Sequence, residues 1–286
     1  MKNKKIVIGA ILGIMGAMVI GGIFGGWFKE KEIQSITIMG STTVLPIAQK
    51  ASEIYMERHN NVDIRISGGG SSVGIQAVGE GIADIGMASR DLKEKEKTRY
   101  PNLKKIVIAK DGIVIIVHPD NPVSTLSLEQ IKKIYNGTYT NWKEVGGSDM
   151  KIVVINRDSA SGTREFFWKY VMQKEKFVES ALEKNSNGAV KQTVSQTPGA
   201  IGYIGLGYVD SSVKAIKISV NGKVIEPKMA NILDNSYPIA RSLNFFTKGE
   251  PKGAVKEFID FIKSEEGQKI VKKEGFVPIK FHSSFH

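Results

Sequence analysis

"KIVVINRDSASGTREFFWKYV", Lys151–Val171, decides how this chain folds. Its first six residues are a mostly apolar run of strand length, and Phe166, Phe167, Tyr170 and Val171 follow at helical spacing. Between the two, one arginine stands ahead of a turn holding two serines, a glycine and a threonine. A strand that turns directly into a helix is the unit from which α/β proteins are built. A fixed cation with hydroxyls at the mouth of a helix suits an anion, a nucleophile or only a helix cap.

Working outward, the same alternation recurs. "SITIMG" reads as a strand and Val44 to Arg58 as a helix with Ile47, Ala51, Ile54 and Tyr55 on one face. "VDIRIS" and "ADIGMAS" are further short strands, and "KKIVIAKDGIVIIVH" reads as two buried strands broken at Asp111-Gly112. "SLEQIKKIY" is a helix opened by a serine cap. "ISVNGKVIEP" is a hairpin, because Asn221-Gly222 suits a type I′ turn. "SLNFFT" is a strand, and Ala254 to Lys273 is one or two amphipathic helices. The pattern predicts an α/β fold with a largely parallel sheet.

The chain has 286 residues, enough for two modest lobes, and no cysteine, which excludes disulfides and thiol chemistry. "MKNKK" precedes an uncharged run from Ile6 to Phe28, long enough to cross a bilayer as a helix or to serve as a signal sequence. The lysines before it place the body outside the cytoplasm. The net charge is +11, of which +8 lies beyond residue 32. Its lysines are scattered and no basic patch is interleaved with aromatics, so nucleic acid is not the expected partner.

Three turns share one chemistry. "GSTTVLP" puts Ser41, Thr42 and Thr43 between a strand and a helix; "SGGGSSVG" does so with Gly70, Ser71 and Ser72, and "RDSASGT" with Ser161, Gly162 and Thr163. Taken singly, each reads as a helix cap, since serine and threonine are preferred there. All three, however, follow the carboxyl end of a strand, the edge of an open α/β sheet where ligands bind. Hydroxyls, free helix N–H groups and one arginine would together suit a tetrahedral oxyanion.

The catalytic alternatives fit less well. "GGGSS" lacks the lysine and spacing of a nucleotide-binding loop, and no GxSxG elbow occurs. The histidines, His59, His118, His282 and His286, do not form a metal-ligand cluster, and nothing supplies a general base for Ser161. No catalytic residue, metal or cofactor is expected.

With these residues in view, the chain resembles the PstS family, the substrate-binding proteins of phosphate ABC importers, from Ser35 to Lys280. "GSTTVLPIAQ", "SGGGSSVGIQAV", "ADIGMASRDLK", "YNGTYTNWKEVGG", "NRDSASGTREFF", "QTPGAIGYIGLGYV", "YPIARSLNFFTKG" and "SEEGQKIVKKEGFVPI" match in order. The resemblance implies an α/β, two-lobed, type II periplasmic-binding-protein-like fold with two hinge crossovers, preceded here by the N-terminal hydrophobic helix. The expected division is 1–32 as signal or anchor, 33–115 plus 238–286 as one lobe and 116–237 as the other.

The resemblance also implies a function and a site. The ligand is inorganic phosphate and the partners are permease subunits, for a monomeric, extracytoplasmic receptor tethered or secreted through its N-terminus. Carried across position by position, the phosphate contacts fall on Thr42, Thr43, Ser71, Arg157, Ser161, Gly162 and Thr163, with Ser41, Gly70 and Ser72 adjacent. Where better-known members carry an aspartate that accepts the ligand's proton, this chain has Ser89, followed by Arg90. Ser89 is expected to join the shell and Arg90 to be a neighbouring charge, while Asp158 orients the Arg157 guanidinium. The substitution leaves sulfate, molybdate or tungstate as alternative ligands, and a surface phosphatase as the alternative from another class. Tyr203, Tyr208 and Trp142 are expected to pack rather than bind.

Overall fold

The structure, a computed structural model, describes residues 32–279. The apolar run Ile6–Phe28, His282 and His286 lie outside the described residues.

From the amino end, strand β1 (Gln34–Gly40) leads to helix α1 (Leu45–Arg58), β2 (Val62–Ser67) to α2 (Ser71–Glu80), and β3 (Ile85–Ala88) to the short α3 (Glu94–Arg99). Ile36 and Ile38 of β1 are buried at alternate positions, as a strand on a core requires. Pro46 sits in the first turn of α1, where its missing N–H removes no helical bond. Strand β4 (Leu103–Val117) follows, then β5 (Thr125–Ser127) and α4 (Leu128–Tyr135), capped by Ser127 accepting from the Gln130 N–H at 3.1 Å. Next come β6 (Val153–Arg157), α5 (Gly162–Tyr170), β7 (Leu182–Lys184), α6 (Asn187–Gln196) and β8 (Ala200–Gly205).

The chain continues through β9 (Lys214–Ala215), the hairpin β10 (Lys217–Val220) and β11 (Lys223–Ile225), and α7 (Met229–Leu233). Asn221 and Gly222 between the hairpin strands have φ of 49° and 78°, the double positive φ of a type I′ turn. Strand β12 (Ala240–Lys248) and helices α8 (Gly253–Lys263) and α9 (Glu265–Lys273) complete the order. Ser264 ends α8 and caps α9, so the final amphipathic segment is two helices.

The main sheet runs β2-β1-β3-β12-β4-β8-β6-β7. It is mixed rather than largely parallel. β1 pairs with β3 and β6 with β7 and β8 in parallel, whereas β12 is antiparallel to β3 and β4, and β4 is antiparallel to β8. Each of these antiparallel pairs involves β4 or β12, the two strands that pass between two separate cores. One core gathers Ile36, Ile38, Ile47, Tyr55, Met87, Leu243, Phe245 and Phe258. The other gathers Ile115, Leu126, Ile131, Tyr135, Trp142, Phe167, Tyr203 and Tyr237.

Asp111-Gly112 does not break a strand in two. β4 is one strand of 15 residues, giving Ile108 and Ala109 to the first core and Ile113, Ile115 and Val117 to the second. The chain changes core at Asp111-Gly112, and β12 makes the same crossing beside it, with Ala240 opposite Gly112 and Arg241 opposite Asp111. The Asp111 carboxylate does not close a local turn because it has long-range partners: Arg241 and the Leu206 N–H.

Helix α5 is held to the second core by Phe167, whose ring stacks on Tyr203 at 4.2 Å and meets Tyr135 edge-on at 4.8 Å. Phe167→Ala is expected to destabilise the protein by about 3–5 kcal/mol, because the cavity adds to the lost burial. Thermal unfolding checks this; a melting temperature equal to wild type would contradict it. Trp142 is buried at 1% exposure with Nε1 donating to the Gly199 carbonyl at 2.9 Å, a packing residue as expected.

Candidate functional site

The three hydroxyl-rich turns converge. β1 ends at Gly40, β2 at Ser67, β3 at Ala88 and β6 at Arg157, and the residues after these carboxyl ends are Thr42–Thr43, Ser71, Ser89 and Ser161–Thr163. Thr43 Oγ1 lies 3.2 Å from Thr163 Oγ1, although 120 residues separate them. Ser71 Oγ accepts from the Ser89 N–H at 3.0 Å and lies 3.3 Å from Ser89 Oγ. Thr42, Thr43, Ser71, Ser89, Arg157, Ser161 and Thr163 are all buried.

Capping does not explain these hydroxyls. Only Ser161 caps its own helix, accepting from the Arg164 N–H at 3.1 Å. The residues that open α1 and α2 carry no side-chain cap. Gly162 and Thr163 begin α5, so their N–H groups have no carbonyl to reach within the helix.

Glycine at 162 is what lets two loops touch. A Cβ there would stand 2.1 Å from Ser71 Oγ and 2.9 Å from Ser89 Oγ. Gly70 has the same role from the opposite side: its φ is 95°, and a Cβ would meet the Ala160 carbonyl oxygen at 2.6 Å. Gly162→Ala is therefore expected to push the Ser71 and Ser89 hydroxyls away from α5 and to weaken binding of an anion there at least ~10-fold, the loss of about one good hydrogen bond to a charge. Calorimetry checks it, and wild-type affinity would show that the contact is dispensable.

Arg157 supplies a cation from inside the protein. Its side chain is 1% exposed; Nε donates to the Lys184 carbonyl at 3.1 Å and Nη2 to the Asn185 carbonyl at 3.3 Å. Nη1 is buried with no partner. Burial pushes the guanidinium below its ordinary pKa, with Tyr203 and Asp158 acting the other way and Arg241 adding to the decrease. A buried donor without an acceptor is costly, so the geometry favours an anion at Nη1.

Asp158 does not orient Arg157. Its Oδ1 is itself buried without a partner, and carbonyls take the guanidinium instead. The parallel pairing of β6 with β7 places Lys184 opposite Arg157, which puts those carbonyls within reach first. Arg90 is paired within the protein: Nη1 and Nη2 donate to the two Glu96 oxygens at 2.7 and 2.8 Å, and Nη2 to Ser72 Oγ at 3.0 Å. Ser41 Oγ is likewise occupied, accepting from the Thr43 N–H at 3.2 Å.

Three residues escaped the sequence reading. Asn187, wholly buried at the start of α6, donates through Nδ2 to Thr42 Oγ1 and Thr43 Oγ1, both at 3.0 Å. Arg241 donates from Nε and Nη2 to Asp111 Oδ2 at 3.0 and 2.8 Å, from Nη2 to Thr43 Oγ1 at 3.3 Å, and from Nη1 to the Ser89 carbonyl at 3.2 Å. Arg157 is thus not the only cation at the site. Tyr208, expected to pack, is half-buried and donates its hydroxyl to the Thr42 carbonyl. Burial pushes that phenol up to about 12, so it remains protonated at neutral pH.

An α/β sheet with two cores, paired crossing strands and a hydroxyl-lined anion site at strand ends is the architecture of a two-lobed solute receptor. Residues 29–266 match a family model described as a PBP superfamily domain. The chain is 38% identical over 252 residues to the phosphate-binding protein PstS of Bacillus subtilis, covering 88% of this chain and 83% of that one. It is 39% identical over 256 residues to PstS of Borreliella burgdorferi, covering 86% and 90%. The solved structure of a phosphate-bound, putative phosphate ABC transporter substrate-binding protein from Clostridium perfringens superposes with TM-score 0.82 at 43% identity, covering 86% of this chain and all of that one. A Vibrio cholerae ABC-type phosphate transport receptor gives TM-score 0.71 at 38% identity, covering 85% and 99%. The chain belongs to the PstS family of phosphate-binding proteins.

Proposed function

We propose that this protein captures inorganic phosphate between two lobes and delivers it to the permease of an ABC importer. The observation that carries the reading is the unpartnered, buried Arg157 Nη1 at the end of β6, together with the hydroxyls of separate loops that converge on the helix mouth following it. The ligand contacts are Thr42, Thr43, Ser71, Ser89, Arg157, Ser161, Gly162 and Thr163. The expected lobe boundaries at 115/116 and 237/238 move by a few residues, to the change of core at Asp111-Gly112 in β4 and at Ala240-Arg241 in β12, the two hinge strands. No bond is made or broken in this role; affinity comes from donors and charge-assisted hydrogen bonds, each contributing about 1.5–3 kcal/mol net.

The site works outside the cytoplasm, with residues before 33 acting as tether or signal. Ser89 in place of a carboxylate still leaves an acceptor for the ligand's proton. In the Ser71–Ser89 pair either hydroxyl can donate, so one oxygen can turn to accept a P–OH. Sulfate has no such proton near neutral pH and gains nothing from that turn. Titration calorimetry with phosphate, arsenate and sulfate tests the assignment. Phosphate and arsenate should bind and sulfate should bind more weakly; heat from sulfate alone would reassign the ligand.

A further inference from the structure

We infer that Asn187 and Arg241 are positioning residues that set the direction of the hydroxyl protons at Thr42 and Thr43, leaving Thr42 and, through Thr43, Thr163 as fixed donors toward the anion. This rests on the phosphate reading above.

The argument is a count of donors and acceptors. A threonine hydroxyl has one proton to give and two lone pairs to fill. Thr43 Oγ1 has three neighbours: Asn187 Nδ2 at 3.0 Å, Arg241 Nη2 at 3.3 Å and Thr163 Oγ1 at 3.2 Å. The first two can only donate, so they fill both lone pairs, and the Thr43 proton must leave in the remaining direction, toward Thr163. That contact makes Thr163 Oγ1 an acceptor and leaves its own proton for an outside partner. Thr42 Oγ1 is fixed in the same way by the second hydrogen on Asn187 Nδ2 at 3.0 Å, with the Asn187 N–H at 3.5 Å.

The amide cannot be turned round. Asn187 Oδ1 accepts from the Gly205 N–H at 3.1 Å, and a backbone N–H only donates. Arg241 is held as firmly, since two of its nitrogens grip Asp111 Oδ2. Both side chains are therefore locked donors. Without them the threonine hydroxyls could point either way, and ordering them would have to be done by the ligand. Hydrogen bonds in such a chain also polarise one another, strengthening the last donor.

The test is a double-mutant cycle read by phosphate titration. Asn187→Ala should weaken phosphate binding ~10-fold or more in the wild-type background, and at most about 3-fold in a Thr42→Val/Thr43→Val background, because both hydroxyls it orients are gone. An equal factor in both backgrounds overturns the inference and leaves the phosphate assignment standing, whereas wild-type protein that ignores phosphate overturns both. Asn187→Asp is the second variant. It keeps an oxygen for the Gly205 N–H but offers the threonines an acceptor, so their protons turn inward. It should bind phosphate more weakly than Asn187→Ala does, and affinity equal to wild type contradicts the inference. Asn187→Asp also decides the matter if the alanine variant does not fold.

Discussion

Replacing Arg157 by alanine should weaken phosphate binding by roughly 100-fold, a loss of about 2.7 kcal/mol. The magnitude follows from what the side chain offers. Its Nε and Nη2 are already spent on the Lys184 and Asn185 carbonyls, so Nη1 is the group left to meet an anion. A charge-assisted bond made away from water contributes more than the same bond at the surface, and the unliganded guanidinium loses nothing by gaining one. Arg157→Lys should recover only part of the affinity, because an ammonium group cannot hold two carbonyls in plane while reaching a third acceptor. Calorimetry on both variants decides the point. Wild-type affinity in Arg157→Ala would remove Arg157 from the site.

Asp111→Ala should cost about 3–5 kcal/mol of folding stability, because it leaves the Arg241 guanidinium buried without its counter-charge. The pair is fully interior, with side chains 1% and 0% exposed, and it sits where β4 and β12 cross between cores. Its removal should lower the melting temperature by roughly 6–20 °C in a protein of this size. The double variant Asp111→Leu/Arg241→Met should lose less than Asp111→Ala alone, since replacing both partners leaves no orphaned charge. Phosphate should raise the melting temperature of Asp111→Ala by more than that of wild type, because a bound anion near Arg241 partly replaces the lost carboxylate. A melting temperature unchanged by Asp111→Ala would mean the pair contributes nothing at the crossing.

The strand-to-helix units and the hydroxyl loops were legible because their signals are local. Hydrophobic spacing placed α1 and α4, Asn221-Gly222 placed the hairpin, and serine or threonine at strand ends marked Thr43, Ser71 and Ser161. What escaped depends on pairing across the chain. Asp111-Gly112 has the local signature of a turn, yet Asp111 is satisfied by Arg241, 130 residues away. A carboxylate in the middle of one apolar strand and an arginine in another were the readable clue, since such residues are seldom buried unless paired. Asn187 gave a fainter sign, as a fourth helix mouth after Ser186. Asp158 misled because a neighbour along the chain can act on Arg157 by charge without hydrogen-bonding it; the β6–β7 register put carbonyls there instead.

A crystal structure of the protein grown with phosphate tests the central claim most directly. Tetrahedral density should lie within hydrogen-bond reach of Arg157 Nη1, Ser71 Oγ, Thr163 Oγ1 and the α5 amino end together. Density at any other place, with Arg157 Nη1 still lacking a partner, would contradict the convergence of these loops on one anion.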